Sequence, residues 1–236
     1  MTVYAYCVRR AGDPPPEAAV RGIGGAEVYL RESGTIGVWL SELDATPEPA
    51  AEHLLAHDTV VRAALRSRTP LPLRFGAAFA DEAAAFAALT AREGELREAL
   101  ARVDGRAEMA VTLLWDADRE RERLLAERTD LRPPAGTPAG GRAYLEARRR
   151  AHALESALRD RAGALLDAVS GRLSAADSTA LEARTVLPRP GVAGTLAHLV
   201  RREHLFTYRE LAERAGEGLA GVMVRVSGPW APYSFV

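Results

Sequence analysis

Lysine is absent from this chain, and all 31 basic residues are arginine. An all-arginine complement suits bidentate recognition of carboxylates and phosphates. Alanine, glycine and proline are abundant as well, so a GC-rich coding sequence accounts for the bias more simply. Set against 32 acidic residues, the arginines leave a formal net charge of -1. That excludes an overall pull toward nucleic acid or an acidic membrane. A single cysteine, Cys7, rules out an internal disulfide and points to a reducing compartment. No apolar run reaches the roughly 18 residues that span a bilayer, and no secretory signal opens the chain, so a soluble cytoplasmic protein is expected. Aromatics make up only 6% of residues. Alanine supplies much of the 47% hydrophobic content, so the cores must pack closely around small side chains.

What is present reads as an α+β protein of two domains, which 236 residues accommodate. Thr2 to Val8 alternates β-formers and ends in the Gly12-Asp13-Pro14-Pro15-Pro16 turn. Ala26 to Arg31 and Ile36 to Glu42 flank Glu32-Ser33-Gly34-Thr35 as a hairpin. Pro47 to Arg68 is helical, with Leu54, Val61 and Leu65 on one face. Leu71 to Phe75 predicts a short strand, and Asp81 to Val103 a second helix with Asp81 as N-cap. The first domain, 1–106, is thus a mixed sheet covered by helices.

The second domain, 107–236, has the order strand, helix, strand, strand, helix, strand of a ferredoxin-like split βαβ unit. Its elements are Glu108 to Trp115, the long helix Arg142 to Leu173, Ala180 to Leu187, Thr195 to Val200, Glu203 to Gly216 and Leu219 to Ser227. The long helix places Leu154, Leu158, Leu165, Leu166 and Val169 on its apolar face. The charged helix Asp116 to Glu127 and the Pro/Gly-rich stretch Thr129 to Gly141 form an insertion at 116–141. Pro188-Arg189-Pro190-Gly191 reads as a loop, and Gly228-Pro229 ends the last strand.

Several patterns invite a chemical reading. His53 and His57 stand four apart on one helix, a spacing that can offer two imidazoles to a metal. No third ligand follows in any motif, and a structural His57-Asp58 pair that hydrogen-bonds a nearby strand is the stronger reading. In Pro70-Leu71-Pro72-Leu73-Arg74-Phe75-Gly76 the prolines steer entry into a strand, Phe75 fills core and Gly76 permits a turn. Arg74 is a candidate partner for Asp58. Gly22-Ile23-Gly24-Gly25 lacks the Gly-Lys-Ser/Thr ending of a phosphate loop and precedes a strand, so it reads as a turn. Ser170, Ser174 and Ser178 stand in no nucleophile-elbow pattern. Arg148-Arg149-Arg150 and Arg201-Arg202 have acidic neighbours and read as solvated faces. Thr195 to Val200 lacks the paired aromatics that stack bases, which argues against RNA. No catalytic residue, metal site or cofactor is assigned. The alternative is a small metal- or nucleotide-dependent enzyme built on His53, His57 and the Gly-rich turn.

The last segment, 228–236, is the most unusual: Gly228-Pro229-Trp230-Ala231-Pro232-Tyr233-Ser234-Phe235-Val236. Terminal segments stay ordered only when something holds them, and three large aromatics provide the grip. The prolines predict an extended path without internal hydrogen bonds, lying in a groove of this chain or of a partner.

Together with Val3-Tyr4-Ala5-Tyr6-Cys7-Val8, His57-Asp58 and Pro72-Leu73-Arg74-Phe75-Gly76, this ending resembles the GvpF/GvpL family of gas vesicle proteins. The matches fall in the family's order and span nearly the whole chain, and Ala231 departs from the family's usual proline. The resemblance implies two α+β domains, an aromatic C-terminal tail and an accessory role in assembling the gas vesicle in the cytoplasm. Its implied partners are the major shell protein and other accessory proteins, with no reaction, nucleic acid or membrane involved. Open sheet edges would accept a partner's strand. Gly228, Pro229, Trp230, Pro232, Tyr233 and Phe235 would act as partner anchors or as a plug across the two domains. His57, Asp58, Arg74, Phe75 and Gly76 would serve as a structural motif.

Overall fold

The computed structural model describes residues 1–132, 140–175, 177, 179–185 and 191–236. Residues 133–139 of the Pro/Gly-rich stretch, Ser178, and 186–190, which include most of the expected Pro188–Gly191 loop, lie outside them. The chain divides into two compact units. The first holds Met1–Glu108 together with Leu199–Arg202 and Gly228–Val236; the second holds Met109–His198 and Glu203–Ser227. The final segment, assigned to the second domain on sequence grounds, therefore groups with the first unit.

In the first unit β1 (Thr2–Arg10) is central, antiparallel to β3 (Ile36–Leu43) and to the short strands β4 (Leu71–Pro72) and β5 (Ala78–Phe79). β2 (Tyr29–Ser33) extends the sheet beyond β3, giving the order β2-β3-β1-β4. Tyr4 to Arg9 are all fully buried, because the sheet is covered on both sides. Tyr4, Tyr6 and Cys7 pack with Val60, Val61 and Ala64 of α1 (Ala51–Ser67). Val3, Ala5 and Val8 pack with residues of α2 (Glu82–Thr90) and α3 (Glu93–Val103), among them Leu89, Leu100 and Val103. The register slips between Ala5 and Cys7. This bulge breaks the alternation, so Tyr6 and Cys7 point into the same core cluster and Val8 into the other.

Four expectations need correction here. The helix expected over Asp81 to Val103 is two helices, capped at Asp81 as foreseen by a bond from Ala84 N. The break falls where Arg92 leaves helical geometry and the next residue, Glu93, turns its carboxylate onto the Thr35 amide and hydroxyl of the β2–β3 turn. Leu54 is 44% exposed, because the buried stripe of α1 starts one turn later at His57. The strand expected to Phe75 stops at Pro72, since the Leu73 carbonyl turns to His57 and Gly76, at φ +96°, reverses the chain toward β5. The last strand runs through the cis Gly228–Pro229 bond to Trp230 instead of ending before it. A proline is tolerated there because the strand lies at a sheet edge, where its missing N–H leaves no partner unsatisfied.

That second sheet has the order β7-β8-β6-β9, from β6 (Arg106–Trp115), β7 (Leu181–Thr185), β8 (Val192–Arg201) and β9 (Val222–Trp230). β8 separates β6 from β7, which is the split βαβ arrangement. The connection between those two strands carries α4 (Ala117–Glu127), capped by Asp116, and the 33-residue α5 (Gly141–Leu173). α5 buries Leu154, Leu158, Ala162, Leu166, Val169 and Leu173, with Leu165 half-buried. α6 (Leu205–Arg214) adds Tyr208 and Ala212. On α4, Glu120 is buried between Arg123 and Arg161, a solvated-looking residue that is in fact interior.

Candidate functional site

The short sequence signals, scattered over more than 200 positions, meet in the first unit. His57 projects from α1 into the core between β1 and the Leu73 carbonyl. Its Nε2 lies 3.0 Å from that carbonyl, which can only accept, so Nε2 carries the hydrogen. Burial holds the imidazole pKa below its ordinary 6.5, so the ring is neutral and Nδ1 accepts from the Tyr4 hydroxyl at 2.9 Å. Tyr4 in turn accepts from the Gly76 amide at 3.1 Å, and burial raises its own pKa to about 12. Phe75 closes the cluster, its ring centroid 6.0 Å from both Tyr4 and His57. One imidazole thus joins β1, α1 and the Leu73–Gly76 turn.

A stability measurement tests this arrangement. With the folded pKa below 6.5 and the unfolded one near it, unfolding takes up a proton between the two values. Stability is then complete above about pH 6.5 and falls as the pH drops toward the folded value. Urea midpoints between about pH 5 and pH 8 should show this slope in the wild-type chain and lose that component in His57→Phe. An equal slope in both would assign it to other groups.

Asp58 does not pair with Arg74. It binds Arg62, four residues on, at 2.8 Å, and the Arg62 guanidinium lies over the Trp230 ring at 4.3 Å from its centroid. Arg74 is exposed on the wall of a neighbouring groove. Trp230 is thereby tied to α1, and the tail follows. Ala231 and Pro232 are buried, Tyr233 packs beside the Tyr4–Tyr6 cluster, and Phe235 packs on the opposite cluster around Val3 and Leu71. The tail is not the extended path expected, since Tyr233–Phe235 forms a 3-10 turn with bonds from Tyr233 N to Ala231 O and from Phe235 N to Pro232 O. Its aromatic rings are packed and the amides of Tyr233 and Phe235 are bonded within the turn.

Two residues that the sequence reasoning missed fasten this turn. Glu108, only 7% exposed, accepts from the Ser234 amide at 2.9 Å and from the Ser234 hydroxyl at 2.8 Å. Arg102 donates to the Phe235 carbonyl at 2.8 Å. A carboxylate at the start of an apolar strand was the available signal for Glu108. Arg102, on an exposed helix turn, offered none.

The other candidate sites resolve into architecture. His53 Nδ1 meets the Glu48 carbonyl, and both His57 nitrogens are engaged, so the two histidines do not share a ligand position. Among the described residues, no group of three or more His, Cys, Asp or Glu side chains could hold a metal ion. Gly22 presses against Tyr6, where an added Cβ would sit 2.1 Å from the hydroxyl oxygen that accepts from Ile23 N. In the second unit Tyr208 meets His198 Nδ1 at 2.7 Å, His198 Nε2 meets Glu182 at 3.0 Å, and Ser170 donates to the same carboxylate. The Glu182 carboxylate thus lies between the Ser170 hydroxyl and the His198 ring.

Residues 2–236 match the model of the gas vesicle synthesis protein GvpL/GvpF family. The chain belongs to this family. Gas vesicle protein L of Streptomyces sp. (strain CB03234) is 34% identical over 256 residues, covering 98% of this chain and 91% of that protein. Gas vesicle protein F of the same strain is 27% identical over 243 residues, covering all of both. The crystal structure of GvpF from Anabaena sp. PCC7120 shares the fold with a TM-score of 0.79 at 21% identity, over 99% of this chain and 95% of that one. GvpF from Microcystis aeruginosa gives 0.80 at 18%, over 99% and 98%. Among the described residues, no helix of this GvpL/GvpF family member is long and apolar enough to cross a membrane.

Proposed function

We propose that this protein is an accessory factor of gas vesicle assembly in the cytoplasm. It binds the small apolar shell protein, other accessory proteins, or both, supporting nucleation or growth of the shell and limiting premature aggregation. The observation that supports this reading is a groove of about 550 Å³ beside the docked tail. Leu71, Leu73, Leu96, Ala99, Tyr233 and Val236 form its apolar lining, and Arg74, Arg92 and Glu95 its rim. An apolar floor with a charged rim is the anatomy of a protein-binding patch. Strand addition has less support, because both edges of the first sheet are blunted. β4 carries Pro72, which cannot donate, and β2 carries the exposed charges Arg31 and Glu32. The groove is therefore the better seat for a partner segment.

Co-expression with the major shell protein, followed by pull-down and a solubility assay, tests this. The wild-type chain should keep shell protein soluble and co-purify with it or with another accessory protein. Ala99→Arg, which fills the groove with a charge, should lose the partner at an unchanged melting temperature. A wild-type chain that captures neither, or an Ala99→Arg variant that binds normally, would sink the proposal.

A further inference from the structure

On the α1 side of the first unit a second cavity, of about 370 Å³, is lined by Arg62, Leu65, Arg66, Arg202, Pro229 and Trp230, among others. Its charge balance is uneven. Arg62 is neutralised by Asp58 at 2.8 Å, and Arg66 faces Glu17 at 3.7 Å, with both of those side chains well exposed. Arg202 is different. Its Nη2 donates to the Leu65 carbonyl and to the Thr69 hydroxyl, both uncharged, and no carboxylate among the described residues stands within ion-pair distance of it. Asp104, the acid whose field reaches it, is already held by Arg68 at 2.9 Å and Arg10 at 3.3 Å. Partial burial lowers the Arg202 pKa, the mark of a cation whose desolvation is not repaid by a counter-ion. The lining thus carries three guanidinium groups facing two carboxylates, an excess of one positive charge.

We propose that this pocket binds one carboxylate of an acidic segment of a partner protein, with Arg202 and Arg66 as its ligands. A guanidinium presents a planar fork of donors that matches a carboxylate. An excess of a single charge suits a monoanion better than a dianionic phosphate. Leu65, Pro229 and Trp230 offer an apolar wall for the methylenes or neighbouring side chain of the bound residue. The site is separate from the apolar groove and stands or falls without the shell protein.

The test uses the full chain and three probes: a fluorescein-labelled acetyl-Leu-Glu-Leu-Gly-amide peptide, its Gln counterpart, and inorganic phosphate as competitor. Anisotropy should show the Glu peptide binding about tenfold more tightly than the Gln peptide, the difference of one charge-assisted contact. Arg202→Met should abolish that preference, and Arg66→Ala, a change at an exposed residue that keeps the fold, should weaken it about threefold. Raising the salt should weaken the Glu peptide alone. Equal binding of the two peptides, or a Glu preference that survives both substitutions, would overturn the proposal. Phosphate that displaces the Glu peptide at equal concentration would replace it with a phosphate site.

Discussion

A chain that ends at Gly228 should unfold its first unit at a temperature at least about 10 °C below that of the full chain, from a loss of about 4–8 kcal/mol. Half-burying Tyr233 and Phe235 and fully burying Ala231 removes enough apolar surface from water to supply several kcal/mol of that total. The rest comes from what truncation leaves behind. Glu108, 7% exposed with the tail in place, would lose both donors that Ser234 supplies. An ionised carboxylate left so is costly by about 1–3 kcal/mol or more. Arg62 would lose the ring beneath it, and Arg102 its carbonyl. The two contributions separate in a double-mutant cycle. In a Glu108→Leu background the truncation should cost less, because no carboxylate is stranded. A truncated chain with an unchanged melting temperature would show that the tail is not held as the geometry indicates. An equal cost in both backgrounds would assign the whole effect to apolar contacts.

The tail also shows how far the sequence could be read. Its aromatics mark it as a docked segment, and they are docked. Most of the longer strands, the Asp81 cap and the buried stripe of α5 follow from alternation, capping preference and helical periodicity, all local rules. The failures share a cause. Whether a strand stops at a proline depends on which edge faces a neighbour, so β9 continued through Pro229 where local rules end it. The partner of Asp58 depends on competition between Arg62 and Arg74, and the i,i+4 spacing on α1 decided it. Glu108 acquires its meaning only from Ser234, 126 residues later. Long-range pairing of this kind leaves no periodic trace in one sequence.

The same limit hid the buried cation behind the single substitution that should cost most. The opening strand was expected over Thr2 to Val8, yet β1 continues to Arg10 and the Arg9 side chain is fully buried. Its guanidinium stacks over Trp39 at 5.0 Å, donates to Ser67, and faces Asp13 at 3.5 Å, while Nε and Nη1 have no hydrogen-bond partner among the described residues. Asp13 also takes Arg68 at 3.3 Å, and Arg68 passes on to Asp104, which binds Arg10. This chain of alternating charges closes the Pro14-Pro15-Pro16 loop onto the sheet. An arginine cannot shed its proton at any ordinary pH, so Asp13→Ala strands a charge in the interior and should cost about 3–5 kcal/mol. Arg9→Met in the same chain removes the stranded charge and should restore most of the loss, since an apolar side chain of similar length fits a buried site without a counter-ion. Arg68 holds the Asp104 carboxyl below its usual range, so that link is present above about pH 4 and is lost as the pH falls through the folded value. Urea titrations of the two single variants and the double variant decide the matter. A loss below about 1 kcal/mol in Asp13→Ala, or no recovery in the double variant, would mean that Trp39 and Ser67 hold Arg9 without need of its carboxylate.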